Sequence, residues 1–594
     1  MADGAFYGRR VLPKRTSRIV TLLEAEEAVE NSDQPENLVI LPLSTGDANV
    51  DSDVEDGRDD LLDDDHIMEP AGEMELDEYE SEDEDYEVHG SDDSEDEGSG
   101  EPAAKRTPAG ATRWMKRTAF DTILPEMELP SFIDDHPELI TASPMDLWRG
   151  IYTPALIEKI VDQSLLYAAR EKNNDSFGLE AVDLERFLGI LLLSGYHTLP
   201  TESDYWSTQP DLGVPLVQTA MSRNRFRSIK QYLHFVDNQA LQEGNKMAKV
   251  APLYDSLNEQ LVKWNIFHPL LSIDESMVPY FGKHSAKMFI KGKPIRFGYK
   301  IWCLCGSDGF PYHLQIYTGR QEGRPVSPLG LRVVGDMVDV IRVHSDTRCH
   351  ELFFDNFFTS YSLLEILAEK NMRAVGTVRD NRTGGANQRL VSTKELKKKA
   401  RGTFDYRCNG TVFICKWNDN SVVNAASNYA THEPLATVKR RVKNVSNTTV
   451  TQPHLIQLYN KGMGGVDLFD RLLGSYRPRI SGKKWYWALF VNHLNATVVA
   501  AWRLHCKVHE KPMSHIEFRR EITVSLLKTD LRPEPRVSGL PVDVRYDGVG
   551  HTRESTTQGR CKVCKRNTRC KCSKCGVRLH FDHGANCNEL YHTR

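Results

Sequence analysis

At 594 residues the chain exceeds what one hydrophobic core ordinarily organises, so several folded units joined by unfolded stretches are expected. Its formal net charge of −8 is unevenly divided: residues 51–100 hold 25 Asp and Glu against one basic residue, Arg58, so that segment contributes −24 and the remainder +16. No apolar run approaches the roughly 20 residues of a membrane span, the N-terminus has no secretory apolar region, and no G-x-x-x-x-G-K-[ST] loop points to ATP-driven chemistry.

In chain order, the acidic run is poor in aromatics and dotted with Ser and Gly in "SEDEDYEVHGSDDSEDEGSG". It cannot bury enough apolar surface to fold, so residues 1–124 are expected to be a disordered acidic region. A basic body behind an acidic tail suits a protein that handles a polyanion, although a merely solubilising tail reads equally well. The basic stretch Lys105–Arg117 reads as a solvated linker, an import signal or a backbone clamp.

Residues 125–269 carry a helical pattern. Thr153 and Pro154 form an N-cap and first helical residue ahead of Ile157, Ile160, Val161 and Leu165 on one face. A second helix holds Leu184, Phe187, Leu188, Leu191 and Leu192 and ends near Gly195. A third starts at Ser222 and sets Phe226, Ile229 and Leu233 against Arg223, Arg225, Arg227 and Lys230, a basic face that either meets phosphates or is simply solvated.

Near residue 270 the period changes. "LLSIDESMVPYFG" and "KIWCLC" read as strands, Ser307–Gly309 as a turn, and Tyr312–Tyr317 as the returning strand. A helix around Val333–Ile341, the strand "HELFFD", a helix around Ser360–Lys370 and the strand "AVGTV" follow. This order predicts a mixed sheet with helices on its faces, the outline of an RNase H-like catalytic domain split into 270–379 and 454–476. Between the parts, 380–453 is β-prone, with Asn409-Gly410 as a hairpin turn, and reads as a β insertion. Helices over 477–535, a Pro-marked linker at 536–557 and a cysteine-rich unit at 558–594 complete a multidomain α+β chain.

Asp274 in "SIDES" and Asp355 in "LFFDNFF" each close a predicted strand. A carboxylate there is awkward to bury without a partner or cation, although each alone reads more often as a turn or capping residue than as a ligand. Asp467 and Asp470 lie three apart on one helix face after Gly464-Gly465. Alone they would be first-turn acids complementing the helix dipole. Together the acids form a constellation able to hold two divalent ions for phosphodiester chemistry, and hard oxygen ligands select Mg²⁺ or Mn²⁺.

Six of the 12 cysteines lie in the last 34 residues, which indicates metal rather than a disulfide framework. Cys561, Cys564, Cys572 and Cys575 form two C-x-x-C pairs, followed by His580, His583, Cys587 and His592. Eight ligands suffice for two structural Zn²⁺ in a cross-brace, with Cys561, Cys564, His580 and His583 at one site and Cys572, Cys575, Cys587 and His592 at the other; Cys570 is spare. From residue 558 nine Lys and Arg face two acids, which favours DNA over a RING- or PHD-type protein partner.

The segments "MSRNRFRSIKQYLHFVDN", "SIDESMVPYFG", "KGKPIRFGYKIWC", "FFDNFFTS", "GTVRDNR", "RGTFDYR", "KWNDNSVV", "YNKGMGGVD" and "GKKWYW" occur in the order found in piggyBac transposases and piggyBac-derived proteins. The chain resembles that family from about residue 125 onward. The resemblance implies a catalytic triad of Asp274, Asp355 and Asp467, with Asp470 as a fourth acid. It implies cleavage at transposon ends through DNA hairpins and joining into TTAA targets. It further implies a helical dimerisation and DNA-binding domain, 125–269 and 477–535, split around the catalytic domain, and a homodimer acting in the nucleus on double-stranded DNA, with no membrane partner. Arg379 and Arg382 are expected near DNA, Lys483 and Lys484 on phosphates, and Trp485 stacked or wedged at a base step, with a core Trp and solvated lysines as the other reading. The cysteine-rich module is expected to read terminal repeats. A host-adopted, non-catalytic DNA-binding or chromatin protein is the second functional reading.

Overall fold

The computed structural model describes residues 16–20, 38–42, 74–78, 113–124, 131–241, 244–290, 293, 295–319, 327–442, 445–529, 545–581 and 586–593. It forms two compact units, residues 1–529 and 530–594. Within residues 1–112 the described parts are three short strands, β1 (Thr16–Val20), β2 (Leu38–Pro42) and β3 (Met74–Glu78), paired in the order β1-β3-β2. All three lie in the 1–124 region expected to be unfolded, β3 within its acidic run, and so depart from that expectation; the other residues of 1–112 fall outside the described residues.

The expected start of order near residue 125 is too late. Met115 bridges Cys408, Lys116 pairs with Asp405 at 3.2 Å, and Trp114 Nε1 donates to the Gly384 carbonyl at 2.7 Å. The end of the basic stretch is thus a clasp on the sheet. Its aromatic, its backbone and the Lys116 ammonium decide the matter together.

Helices Pro154–Lys172, Ala181–Ser194, Arg223–Tyr232 and Ala251–Leu261 precede the sheet, and Trp487–Val508 and His515–Lys528 follow it. The first begins as its sequence predicts: Thr153 accepts from the Leu156 N–H, with Pro154 in the first turn. The two groups form one body. Trp148 Nε1 donates to Thr497 Oγ1 at 3.0 Å, the Tyr254 hydroxyl donates to the Leu489 carbonyl, and the Arg186 guanidinium donates to the Thr529 carbonyl. The basic face of Arg223–Tyr232 is mostly neutralised internally: Arg225 pairs with Asp183, and Arg227 and Lys230 with Glu202.

The sheet strands are β4 (Leu270–Pro279), β5 (Met288–Phe289), β6 (Phe297–Gly306), β7 (Pro311–Ile316), β8 (Glu351–Phe354), β9 (Arg373–Thr377), β10 (Phe404–Cys408), β11 (Phe413–Asn418) and β12 (Val422–Ser427). They run in the order β10-β11-β12-β9-β8-β4-β6-β5, with β7 beside β6. The pairs β4-β6 and β6-β7 are antiparallel, whereas β4-β8 and β8-β9 are parallel. Helices Leu329–His344 and Tyr361–Glu369 connect the parallel strands, as such crossovers require. The β-prone segment is not a separate body: β12 pairs with β9, so β10 to β12 extend the same sheet, and β13 (Ala436–Val442) and β14 (Val445–Gln452) form a hairpin.

Candidate active site and metal centres

Asp274 lies inside β4 rather than at its end. Pairing with β8 stops at Ile273↔Phe354, however, so Asp274 is the first β4 residue beyond the parallel ladder, and Asp355 is the first residue after β8. The two acids therefore emerge side by side. The Phe357 N–H donates to Asp355 Oδ1 at 2.9 Å, and the Glu275 N–H to Asp274 Oδ1 at 2.8 Å.

The third acid arrives on helix Gly465–Ser475. Its first turn lies so close to β4 and β6 that a Cβ on Gly465 would sit 2.5 Å from both the Gly306 carbonyl oxygen and Ser272 Oγ. The Val466 N–H donates to Ser272 Oγ, and the Ser276 hydroxyl donates to Asp470 Oδ1. Ser272, Asp274 and Ser276 share one strand face, so those two contacts lay the segment carrying Asp467 and Asp470 against Asp274.

Burial, then the neighbouring Glu275 and Asp355 charges, push the Asp274 carboxyl up to about 8. Burial raises Asp355 and takes Asp470 up to about 6, the latter opposed by the Ser276 hydrogen bond. Groups that sequence reading did not single out complete the environment. Burial alone would raise Glu275, but Lys300 and Lys293 hold it below its ordinary value. Tyr459 is pushed up to about 12 by burial, its phenol facing Asp355, Asp274 and Asp467. Lys293 and Lys300 sit in "KGKPIRFGYK", where only their placement beside Glu275 reveals their relation to the acids. Among the described residues no three of these carboxylates bring their oxygens within 4.8 Å of one another. Hard oxygen donors, from the buried Asp274 to the exposed Asp467, fit a divalent ion of the Mg²⁺ or Mn²⁺ kind.

In the second unit the side chains collect in two groups, His551, Cys572, Cys575 and His592, and Cys561, Cys564, His580 and Cys587. This corrects the expected pairing: Cys587 belongs with Cys561 and Cys564, and His551 takes the place assigned to it beside Cys572 and Cys575. His583 lies outside the described residues, and Cys570 is in neither group. The reason is topological. Strands β15 (Arg553–Arg560) and β16 (Asn567–Cys572) pair with Arg553 opposite Cys572, which carries the preceding His551 to the second C-x-x-C pair. Helix Cys587–His592 opens on one group and closes on the other.

Cys575 Sγ lies 3.3 Å from His592 Nε2 and 3.4 Å from His551 Nδ1, and Cys564 Sγ lies 3.4 Å from His580 Nδ1. These are near the ~3.5 Å edge of a tetrahedron with zinc-type bond lengths. Each imidazole's other nitrogen is engaged: His551 with Asp547 at 3.1 Å, His580 with the Asn567 carbonyl at 3.1 Å, and His592 with the Asn588 carbonyl at 2.8 Å. Such partners fix ring orientation and tautomer in metal centres. The donor sets fit two tetrahedral ions of the zinc type.

A family model described as Transposase IS4 matches residues 143–502. Human PiggyBac transposable element-derived protein 3 is 39% identical over 476 residues, spanning 76% of this chain and 78% of the relative. The chain belongs to the piggyBac transposase family. Human PiggyBac transposable element-derived protein 2 is 34% identical over 526 residues, 84% of this chain and 86% of its own. A cryo-EM structure of a piggyBac transposase synaptic complex with hairpin DNA shares the fold, with a TM-score of 0.54 and 20% identity over 73% of this chain and 97% of that one.

The residues that the piggyBac resemblance singled out for DNA separate into two sets. Arg379 Nε lies 3.4 Å from Asn356 Oδ1, and Arg382 Nη1 donates to the Phe357 carbonyl at 2.8 Å, so both arginines reach from the turn after β9 to the loop that follows Asp355. Their turn is pinned through Asp380, which meets Lys416 Nζ at 3.2 Å and Asn424 Nδ2 at 2.5 Å, both from the strands that extend the sheet. Lys483 is half-buried. Lys484 instead donates to the Gln231 and Leu233 carbonyls at the end of helix Arg223–Tyr232, a helix-capping use of an ammonium. Trp485 is buried, stacked on His284 at 4.2 Å between ring centroids and edge-on to Tyr299. It has the core placement, which leaves no open face for a base. No described helix is long and apolar enough to cross a membrane.

Proposed function

We propose that this piggyBac-family chain is a metal-dependent DNA transposase that binds double-stranded transposon terminal repeats, cleaves them through hairpin intermediates and joins the freed 3′-hydroxyls into TTAA targets. The observation carrying this reading is that Asp274 and Asp355 leave neighbouring parallel strands side by side, with the helix that bears Asp467 and Asp470 tied to β4 through Ser276 and with Arg379 and Arg382 reaching the loop after Asp355. The strand order β7-β6-β4-β8-β9, antiparallel then parallel, supports an RNase H-like core. The structural relative bound to hairpin DNA lends the substrate class.

Asp274, Asp355 and Asp467 would hold two divalent ions, Mg²⁺ or Mn²⁺, which supply an activated oxygen nucleophile and charge neutralisation at the phosphodiester. Asp470, tied to Ser276, fixes the helix that presents Asp467. Arg379 and Arg382 hold the backbone next to Asp355, where charge-assisted contacts orient a phosphate. The C-terminal unit takes two structural Zn²⁺ and presents basic residues to the repeats. A homodimer acting in the nucleus brings two ends together.

The deciding experiment is plasmid excision in cells, with piggyBac-type repeats flanked by TTAA and Asp355→Ala as the control. Seamless TTAA repair with the intact chain, lost in the variant, is the expected outcome. Binding of the same repeats without any excision would overturn the enzyme in favour of a host-adopted DNA-binding protein.

A further inference from the structure

The acidic centre contains a cation of the chain's own. Lys293, between β5 and β6, places its ammonium 3.1 Å from Glu275 Oε1. Its charge is felt by Asp274 and Asp467 and by Asp355 and Asp470, all four acids of the centre. Glu275 has a second cation, Lys300, whose Nζ lies 3.9 Å from Oε2. The two lysines differ in commitment. Lys300 is largely buried and seated 3.9 Å from the Trp302 ring centroid and 5.0 Å from that of Phe357. Lys293 belongs to no strand or helix, is 30% exposed along its side chain, and is moored by Glu275.

Alternation along β4 explains the mooring. Asp274 and Ser276 face helix Gly465–Ser475 and Glu275 leans to the Lys300 side of the sheet, yet the Asp274 carboxyl curls back to the Glu275 N–H at 2.8 Å and interacts with the Glu275 side chain, so an ammonium on Glu275 lies beside the centre. Lys293 is therefore held by a carboxylate outside the ligand set while it screens the carboxylates inside it. A single ammonium cannot draw three acids together as a divalent ion can, and their oxygens remain apart. An ion entering the centre gains the acids but meets the ammonium's repulsion.

We infer that Lys293 is a displaceable counter-cation of the catalytic centre: it balances the acids before a divalent ion binds, opposes that binding, and is retained by Glu275 when the ion takes its place. The inference rests on the reading of Asp274, Asp355 and Asp467 as an ion-binding centre. It makes Lys293 a positioning residue that tunes metal affinity without ligating the metal.

The test is Mn²⁺ affinity of the full zinc-loaded chain without DNA, measured by calorimetry and by the spectroscopic signal of free Mn²⁺. Lys293→Met and Lys293→Gln, which remove the charge, are expected to tighten binding on the order of tenfold, the effect of one unit charge lost a few ångströms from a divalent ion in partly hydrated surroundings. Lys293→Arg, which keeps the charge, stays near wild type. Asp355→Ala abolishes the site in every background. Unchanged or weaker binding in the two neutral variants, with Asp355→Ala still abolishing it, would overturn the counter-cation and leave the centre intact. Binding indifferent to Asp355→Ala would overturn both.

Discussion

The Ser276 hydroxyl donates to Asp470 Oδ1 at 2.5 Å across a sequence separation of 194 residues, tying the strand that carries Asp274 to the helix that carries Asp467. A hydrogen bond to a largely buried carboxylate contributes about 1.5–3 kcal/mol. Ser276→Ala is therefore expected to lower unfolding stability by about that amount in urea titrations. The loss should shrink when Asp470 is already Asn, because the double-mutant cycle then removes a bond to a neutral partner. Equal losses in both backgrounds would show that Ser276 acts by packing alone.

Asp274 makes the stability of the first unit depend on pH. With its carboxyl pushed up to about 8, above an ordinary value near 4, the folded chain binds more protons than the unfolded chain between those limits. The stabilisation is complete below the unfolded pKa and is lost as pH rises through the folded one. The buried His493, His505 and His515, lowered by burial to about 4, 4 and 3, act in the opposite sense but below pH about 6.5. Between pH 7 and 8.5, without added divalent ion, the urea midpoint is expected to fall, and Asp274→Asn should flatten the fall. Glu275, Asp355, Lys293 and Lys300 surround the group: the two carboxylates oppose its ionisation and Lys293 favours it. A slope that survives Asp274→Asn would assign it elsewhere.

The sequence carried the elements and the acids well because both are local signals. Thr153-Pro154 announces a helix start, and the "LFFD" run announces a strand whose last carboxylate has nowhere apolar to go. What escaped is set by distant pairing. Glu275 and Lys293 gain meaning only when β5 and β6 fold back on β4, and the β insertion joins the main sheet through β12 pairing with β9, which its turn residues do not encode. The family resemblance implies DNA roles for Lys484 and Trp485; in the fold the ammonium caps one helix and the ring stacks on His284.

That difference predicts distinct salt responses for DNA binding. Each phosphate contact removed lowers the slope of log K against log salt by about 0.9. Arg379→Ala with Arg382→Ala is expected to reduce the slope by up to about 2, since both guanidinium groups reach the loop after Asp355. Lys484→Met should leave the slope unchanged and instead cost about 1 kcal/mol of stability by exposing unpaired helix-end carbonyls. A reduced slope in Lys484→Met would show that its ammonium leaves the helix end for DNA.

The C-terminal unit offers the sharpest count. Cys587 and His592 are five residues apart on one helix, which separates their side chains by about 140° around the axis and prevents them from closing easily on one ion; that spacing was the available hint that they serve different centres. His551 had no such hint, since it precedes the first cysteine and reaches Cys572 only through the β15-β16 hairpin. Metal analysis of the intact chain is expected to give two zinc ions. His551→Ala should give one, Cys587→Ser should lose the other, and Cys570→Ser should keep both. His583→Ala should also keep both, because each group already holds four donors without it. Loss of one zinc in His583→Ala, with two retained in His551→Ala, would restore the pairing read from spacing alone.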